Sequence, residues 1–155
     1  LLNVLESVSI VRSQYPSIKL FITGSGNRAF YRKQSKIIGV EENVLWLGEL
    51  PRLKIPYSCN SILVCASAFE VSPLIFIEAA MIGAPVISFP VFGTREAEAD
   101  GYLHVCEPSS RGMAKSILEL LSDPLQRSKM SSNGMLLKNS KNWNVVVNET
   151  IDLYP

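Results

Sequence analysis

ILVCASAFEVSPLIFIEAAMIGAPVIS, residues 62–88, decides the class of fold. Ile62 to Ala66 is a short, continuously apolar run, the pattern of a strand buried on both faces. Ser72-Pro73 then reads as N-cap and first helical residue for LIFIEAAMIG. A serine hydroxyl accepts from the free N–H groups of a helix start, and proline lacks an N–H that would go unpaired there. Gly83 stops that helix, and Pro85 to Phe89 supplies the next apolar run. Strand, helix and strand within so short a stretch predict a βαβ unit and hence a parallel sheet.

The same alternation extends outward in both directions. Upstream, Leu1, Leu5, Val8 and Val11 form one helical stripe over residues 1–14, which Tyr15-Pro16 stops. IKLFIT, residues 18–23, reads as a strand closed by Gly24-Ser25-Gly26, and a helix-competent stretch carrying Arg28, Arg32, Lys33 and Lys36 follows. Asn43 to Leu47 is another strand candidate, ending at Gly48, before a segment broken by Pro51 and Pro56. Downstream, Leu103 to Cys106 reads as a strand and Met113, Ile117, Leu120 and Leu121 as a helical stripe. Asp123-Pro124 with Gln126 resembles a cap for the next helix, and Trp143, Val146, Val147, Ile151 and Tyr154 mark the last one. The expected fold is α/β, a Rossmann-like doubly wound parallel sheet, with residues 1–155 as one domain.

Composition excludes several classes of function. Hydrophobic residues make up 47% and charged residues 19% of the 155, which argues against disorder. A net charge of +1 offers no global field for nucleic acid. Three cysteines (Cys59, Cys65, Cys106) form no CxxC pair, and His104 alone cannot complete a Cys/His zinc set, so no metal site is expected. Sparse cysteines in an apolar chain suit a reducing compartment, and a cytoplasmic location is the expectation. The longest uncharged run, Ala79 to Thr94, is interrupted by two glycines and two prolines and is too short to span a membrane. LLNVLES has no initiator Met, and the chain reads as a fragment of a longer protein.

Residues 55–94 hold only two charges, Glu70 and Glu78. No Lys or Arg in the window can pair with them, so something else must satisfy two carboxylates in apolar surroundings. A helix beginning at Ser72 or Pro73 puts Glu70 in the turn after the strand and Glu78 about one and a half turns into the helix. Both then face the crevice at the strand's carboxyl end, where open α/β sheets bind ligands. The plainer reading is a loop glutamate and a helix glutamate capped by neighbours. The helix N-terminus between them suits an anion, and Gly24-Ser25-Gly26 lets backbone approach a ligand at another strand end.

These residues resemble the C-terminal, donor-binding lobe of GT-B retaining glycosyltransferases of the group 4 family (group 1 glycosyl transferases). KLFITGSG, NVLWLGEL and residues 62–88 look like that family's successive strands and turns, and Glu70 to Glu78 reproduces its E-x7-E spacing ahead of AxxxGAPVI. FGTREAEADG resembles the loop after the next strand, ILELLSDP a late helix, and Asn142-Trp143 the final helix. The resemblance implies one lobe of a GT-B fold whose first, central strand precedes this chain, with an acceptor-binding N-terminal lobe also missing. It implies sugar transfer with retention from a UDP- or GDP-linked donor to a glycan or lipid-linked glycan. Glu78 would hold the ribose hydroxyls and Glu70, the catalytic carboxylate, the donor sugar. Val71, Ser72 and Leu74 would approach sugar and diphosphate, Gly24 and Gly26 would line the phosphate side, and Gly48 to Leu50 would lie near the base. No cofactor and no metal ion are implied. The family's Arg and Lys pair lies ahead of this chain, so the fragment alone should be inactive unless Arg28 turns inward.

Two other readings stay open. GSGNRA matches G-x-G-x-x-A after a strand, and Glu49 lies near the spacing of a ribose-binding acid, the pattern of an NAD(P)-binding oxidoreductase domain. That reading leaves Glu70 and Glu78 unexplained. A non-catalytic interaction module built on the same fold is the other. Arg127, Lys129, Lys138 and Lys141 form an acid-free stretch that leaves peripheral contact with an anionic membrane open, against the plainer solvated helix. His104 reads as a strand histidine with a satisfied ring and Cys65 as a core residue.

Overall fold

The computed structural model describes residues 1–51, 55, 58, 60–71 and 74–140. Within them the order is α1 (Leu2–Val11), β1 (Leu20–Thr23), α2 (Arg28–Ile38), β2 (Val44–Gly48), β3 (Leu63–Cys65), α3 (Leu74–Met81), β4 (Val86–Ser88), α4 (Thr94–Ala99), β5 (Leu103–Val105), α5 (Ser110–Ser122) and α6 (Pro124–Ser140). The expected cap at Ser72-Pro73 and the expected last helix around Trp143 lie outside the described residues.

All the strand pairs are parallel, as the βα alternation predicts, but they form two sheets. β1 pairs with β2, and β3–β4–β5 make a separate three-stranded sheet. Leu20 lies opposite Val44 and Ile22 opposite Trp46, while Leu63, Val86 and Leu103 stand in one row across the other sheet. The runs at 18–23 and 62–66 are therefore not ladder neighbours, which agrees with a fold whose central strand lies outside this chain.

Helices cover both faces of the three-stranded sheet, which makes it doubly wound. On one face Ile87 packs with Val4, Val11, Met113, Ile117 and Leu120 of α1 and α5. On the other, Val86 and Leu103 pack with Phe76, Ala79, Ala80 and Leu137 of α3 and α6. Strand alternation sends neighbouring residues to opposite layers, so Val86 and Ile87 serve different clusters. A third cluster, Leu5, Val8, Val40 and Val44, seats α1 on the two-stranded sheet.

Local sequence sets the ends of these elements. Asn27 caps α2 by accepting from Phe30 N–H at 3.1 Å, and Gly39 closes it with φ of 81°, a left-handed turn a side chain resists. Ser109 caps α5 through Gly112 N–H at 3.0 Å. The expected Asp123 cap of α6 is present, its Oδ1 accepting from Gln126 N–H at 2.9 Å.

Three local expectations need correction. Leu1, placed on the α1 stripe, is 38% exposed because it sits at the N-cap, and Val4 takes its place in the core. FGTREAEADG, read as a loop, contains α4, which buries Thr94 and Ala97. Six residues are less than two turns, too few to display a 3.6-residue period. Cys65 is only half-buried, though it packs against the α3-side cluster. His104 behaves as expected of a structural residue, its Nε2 3.0 Å from Ser116 Oγ.

Candidate functional site

Open α/β sheets bind ligands in the crevice outside the carboxyl ends of their strands. Three loops there carry the candidate residues. β1 ends in Gly24 (φ 109°) and Gly26 (φ 134°), backbone angles that L side chains rarely adopt. A Cβ on either would meet nothing within 4 Å, so conformation, and not crowding, requires glycine, and the turn's backbone stays accessible. Gly24 N–H donates to Gly48 O at 2.8 Å, joining the tips of β1 and β2. Leu50, two residues on, is half-buried.

Arg28 does turn toward these tips. Its Nη2 donates to Trp46 O at 3.0 Å, and Nη1 lies 3.9 Å from where a Cβ on Gly48 would stand. The guanidinium has five donors, so one carbonyl leaves most of them for other acceptors. Arg32, Lys33 and Lys36 point to solvent instead, with Lys36 Nζ 3.3 Å from Glu41 Oε1. An exposed pair of that kind contributes little.

The second group lies on the β3–α3 connection. Glu70 is half-buried, and its Oε1 accepts from Ser67 Oγ at 3.0 Å, an i, i+3 bond that fixes the carboxylate in the turn. This answers what satisfies a carboxylate in a window without cations. Sequence reasoning missed Ser67, although a serine three residues before an isolated glutamate carries the signal. Phe69 and Val71 flank Glu70 and are 80% and 63% exposed. Leu74 and Glu78 are one helical turn apart and share a side of α3, away from the buried Phe76, Ala79 and Ala80. Glu78 is half-buried. Ser72 lies outside the described residues.

The structure thus gathers Gly24, Gly26, Gly48 and Arg28 at one pair of strand tips, and places Glu70 and Val71 on the connection after β3 and Leu74 and Glu78 on α3. Among the described residues no hydrogen bond ties Glu70 to the glycine turns. Chemically the first group offers backbone N–H and a guanidinium, and the second offers carboxylates that accept from hydroxyls. Among the described residues no three His, Cys, Asp or Glu side chains cluster as metal ligands, and no helix is long and apolar enough to cross a membrane.

Comparison with known proteins places the chain in a family and a fold. The family model for glycosyl transferases group 1 matches residues 1–136. An uncharacterized glycosyltransferase of Haemophilus influenzae is 26% identical over 152 residues, 94% of this chain and 42% of that protein. Sucrose-phosphate synthase from Thermosynechococcus elongatus superposes with a TM-score of 0.82 at 22% identity, over 98% of this chain and 41% of that one. Anabaena HepE in complex with UDP superposes at 0.74 and 21% identity, over 97% and 43%. The chain spans less than half the length of the curated relatives it matches. With the family model covering most of its length and the same GT-B lobe in its structural neighbours, the chain belongs to the group 1 glycosyl transferases.

Proposed function

We propose that this chain is the donor-binding lobe of a glycosyltransferase that moves a sugar, with retention, from a UDP- or GDP-linked donor to a glycan or lipid-linked glycan. The observation that carries the reading is Glu70, held by Ser67 at the end of β3 with Glu78 on the adjoining helix. Glu78 accepts from the ribose hydroxyls and Glu70 engages the donor sugar as the catalytic carboxylate. Backbone around Val71, Ser72 and Leu74 faces sugar and diphosphate, Gly24 and Gly26 line the phosphate side, and Leu50 lies by the base. Family membership and the UDP complex of HepE support the donor class. They weigh against the NAD reading, which assigns Glu70 and Glu78 nothing.

No metal ion is assigned to the transfer. Arg28 brings one cation to the glycine turns, but departure of a diphosphate and capture of an acceptor need more than this lobe supplies. The chain by itself is expected to bind donor without transferring sugar.

Titration calorimetry with UDP, GDP and NAD tests the reading. UDP or GDP should bind more tightly than NAD, and Glu78→Ala should cost about 1–3 kcal/mol, since a charged acceptor to hydroxyls is lost. Tighter binding of NAD, abolished by Glu49→Ala and untouched by Glu78→Ala, would overturn it.

A further inference from the structure

Arg28 is the first residue of α2, yet its side chain reaches across to β2, where Nη2 donates to Trp46 O at 3.0 Å. Nη1 stands 3.9 Å from the point a Cβ on Gly48 would occupy, so the guanidinium lies over the last residue of that strand. The side chain is exposed, and among the described residues no carboxylate pairs with it.

One carbonyl does not use up the fork. A guanidinium carries five N–H groups arranged as two parallel pairs, Nη1 with Nη2 and Nε with Nη2. Whichever N–H of Nη2 goes to Trp46 O, one of those pairs is left whole. The same bond ties the group to β2, which lowers the rotamer entropy a long side chain gives up when it grips a ligand. A parallel N–H pair calls for two acceptors side by side.

Two parts of a nucleotide offer such acceptors, a phosphate group and guanine, and position chooses between them. In the donor-binding reading the sugar and ribose go to Glu70 and Glu78 after β3, and the phosphates to Gly24 and Gly26 after β1. Residues of β1 and β3 line one shared cavity that no residue of β2 enters, so β2 lies on the far side of β1 from the carboxylates. Arg28 is held there, on the side where Leu50 follows the strand. That is the base end of the donor. Guanine alone among the bases sets two acceptors, N7 and O6, next to each other on one edge. Adenine puts an N6 donor beside its N7, uracil has only O4 on that edge, and cytosine presents a donor.

We propose, resting on the donor-lobe reading above, that Arg28 reads the donor's base and selects guanine, its free N–H pair donating to N7 and O6. The sugar donor is then linked to GDP.

Calorimetry with nucleoside diphosphates on residues 1–155 tests this. GDP should bind about tenfold to a hundredfold more tightly than UDP or ADP, the usual discrimination of a bidentate pair. Inosine diphosphate keeps N7 and O6 and lacks only the 2-amino group, so it should match GDP within about threefold. 7-Deaza-GDP, with C–H in place of N7, should bind about tenfold more weakly than GDP. These probes use the unaltered chain, so the folding of a variant does not enter. Arg28→Lys keeps the charge and loses the fork, so it should weaken GDP about tenfold or more, leave UDP within about threefold, and abolish the effect of the N7 change. Equal losses of GDP and UDP in Arg28→Lys would overturn the proposal, because the guanidinium would then serve the diphosphate. UDP or 7-deaza-GDP binding as tightly as GDP would overturn it too. Those outcomes leave the donor-lobe reading standing, whereas NAD binding more tightly than either diphosphate would fail that reading and the role of Arg28 with it.

Discussion

Gly134 on α6 is where the packing of this fold can be tested most sharply. The residue is buried against α3, and a Cβ there would stand 2.6 Å from Ala80 O and 3.0 Å from Ala80 C and Cα. These are backbone atoms, so no rotamer change relieves the overlap, and α6 must retreat by about 0.8 Å to reach ordinary contact. Two effects oppose each other in Gly134→Ala. Alanine improves helix propensity by about 1 kcal/mol. Overpacking costs about 1–3 kcal/mol, and the retreat also loosens Leu137 and the bond from Ser131 Oγ to Gly83 O. Overpacking should win, for a net loss of about 1–2 kcal/mol and a fall in melting temperature of roughly 2–8 °C. Urea titration followed by far-UV circular dichroism measures it, with Ser132→Ala, exposed on the same helix, as a control expected within about 0.5 kcal/mol of the parent. Stabilisation of Gly134→Ala by the full propensity gain would refute the close approach of the two helices.

Asp123→Ala should cost about 0.5–2 kcal/mol in the same titration, because Gln126 N–H loses the oxygen that caps α6. Burial, chiefly, pushes the Cys106 thiol up to about 11 from its ordinary 9, so at pH 8 it should resist iodoacetamide until the chain is denatured, read by mass spectrometry of the Cys106 peptide. The same shift sets a sign for stability. Above pH 9 the unfolded chain releases a proton the folded chain keeps, so Cys106's contribution is complete below pH 9 and is lost as pH rises toward about 11. Cys106→Ala should flatten that part of a melting-temperature profile between pH 8 and pH 11.

Elements with a full period were legible in the sequence. α1 and α5 announce themselves because Leu5, Val8, Val11, Met113, Ile117 and Leu120 recur at helical spacing and all prove buried. β3 and β4 were legible as apolar runs for the opposite reason, lacking alternation because both their faces are covered. α4 was hidden, since TREAEA is too short for a stripe and only Ala97 and Thr94 reach the core. The carboxylate pair stood out at Glu70 and Glu78 by its isolation, but roles for them came from resemblance, because spacing along a chain carries no distance between a loop and a helix. The Ser67 bond and the turn of Arg28 onto Trp46 O are side-chain choices made by tertiary surroundings. Composition cannot encode them.

α1 has two apolar faces, Leu5 and Val8 for the two-stranded sheet and Val4 and Val11 for the layer under β4. That double attachment has a kinetic consequence. β1, α2 and β2 assemble from residues close in sequence, whereas docking α1 along α5 closes a loop of about 100 residues, an entropic cost of about 4 kcal/mol. The α1–α5 seam should therefore form late, after each half has organised its own ladder. Truncating Val4 or Val11 would then leave the rate of folding nearly unchanged and speed unfolding, so the lifetime of the joined molecule is set by one ten-residue helix that packs on both halves.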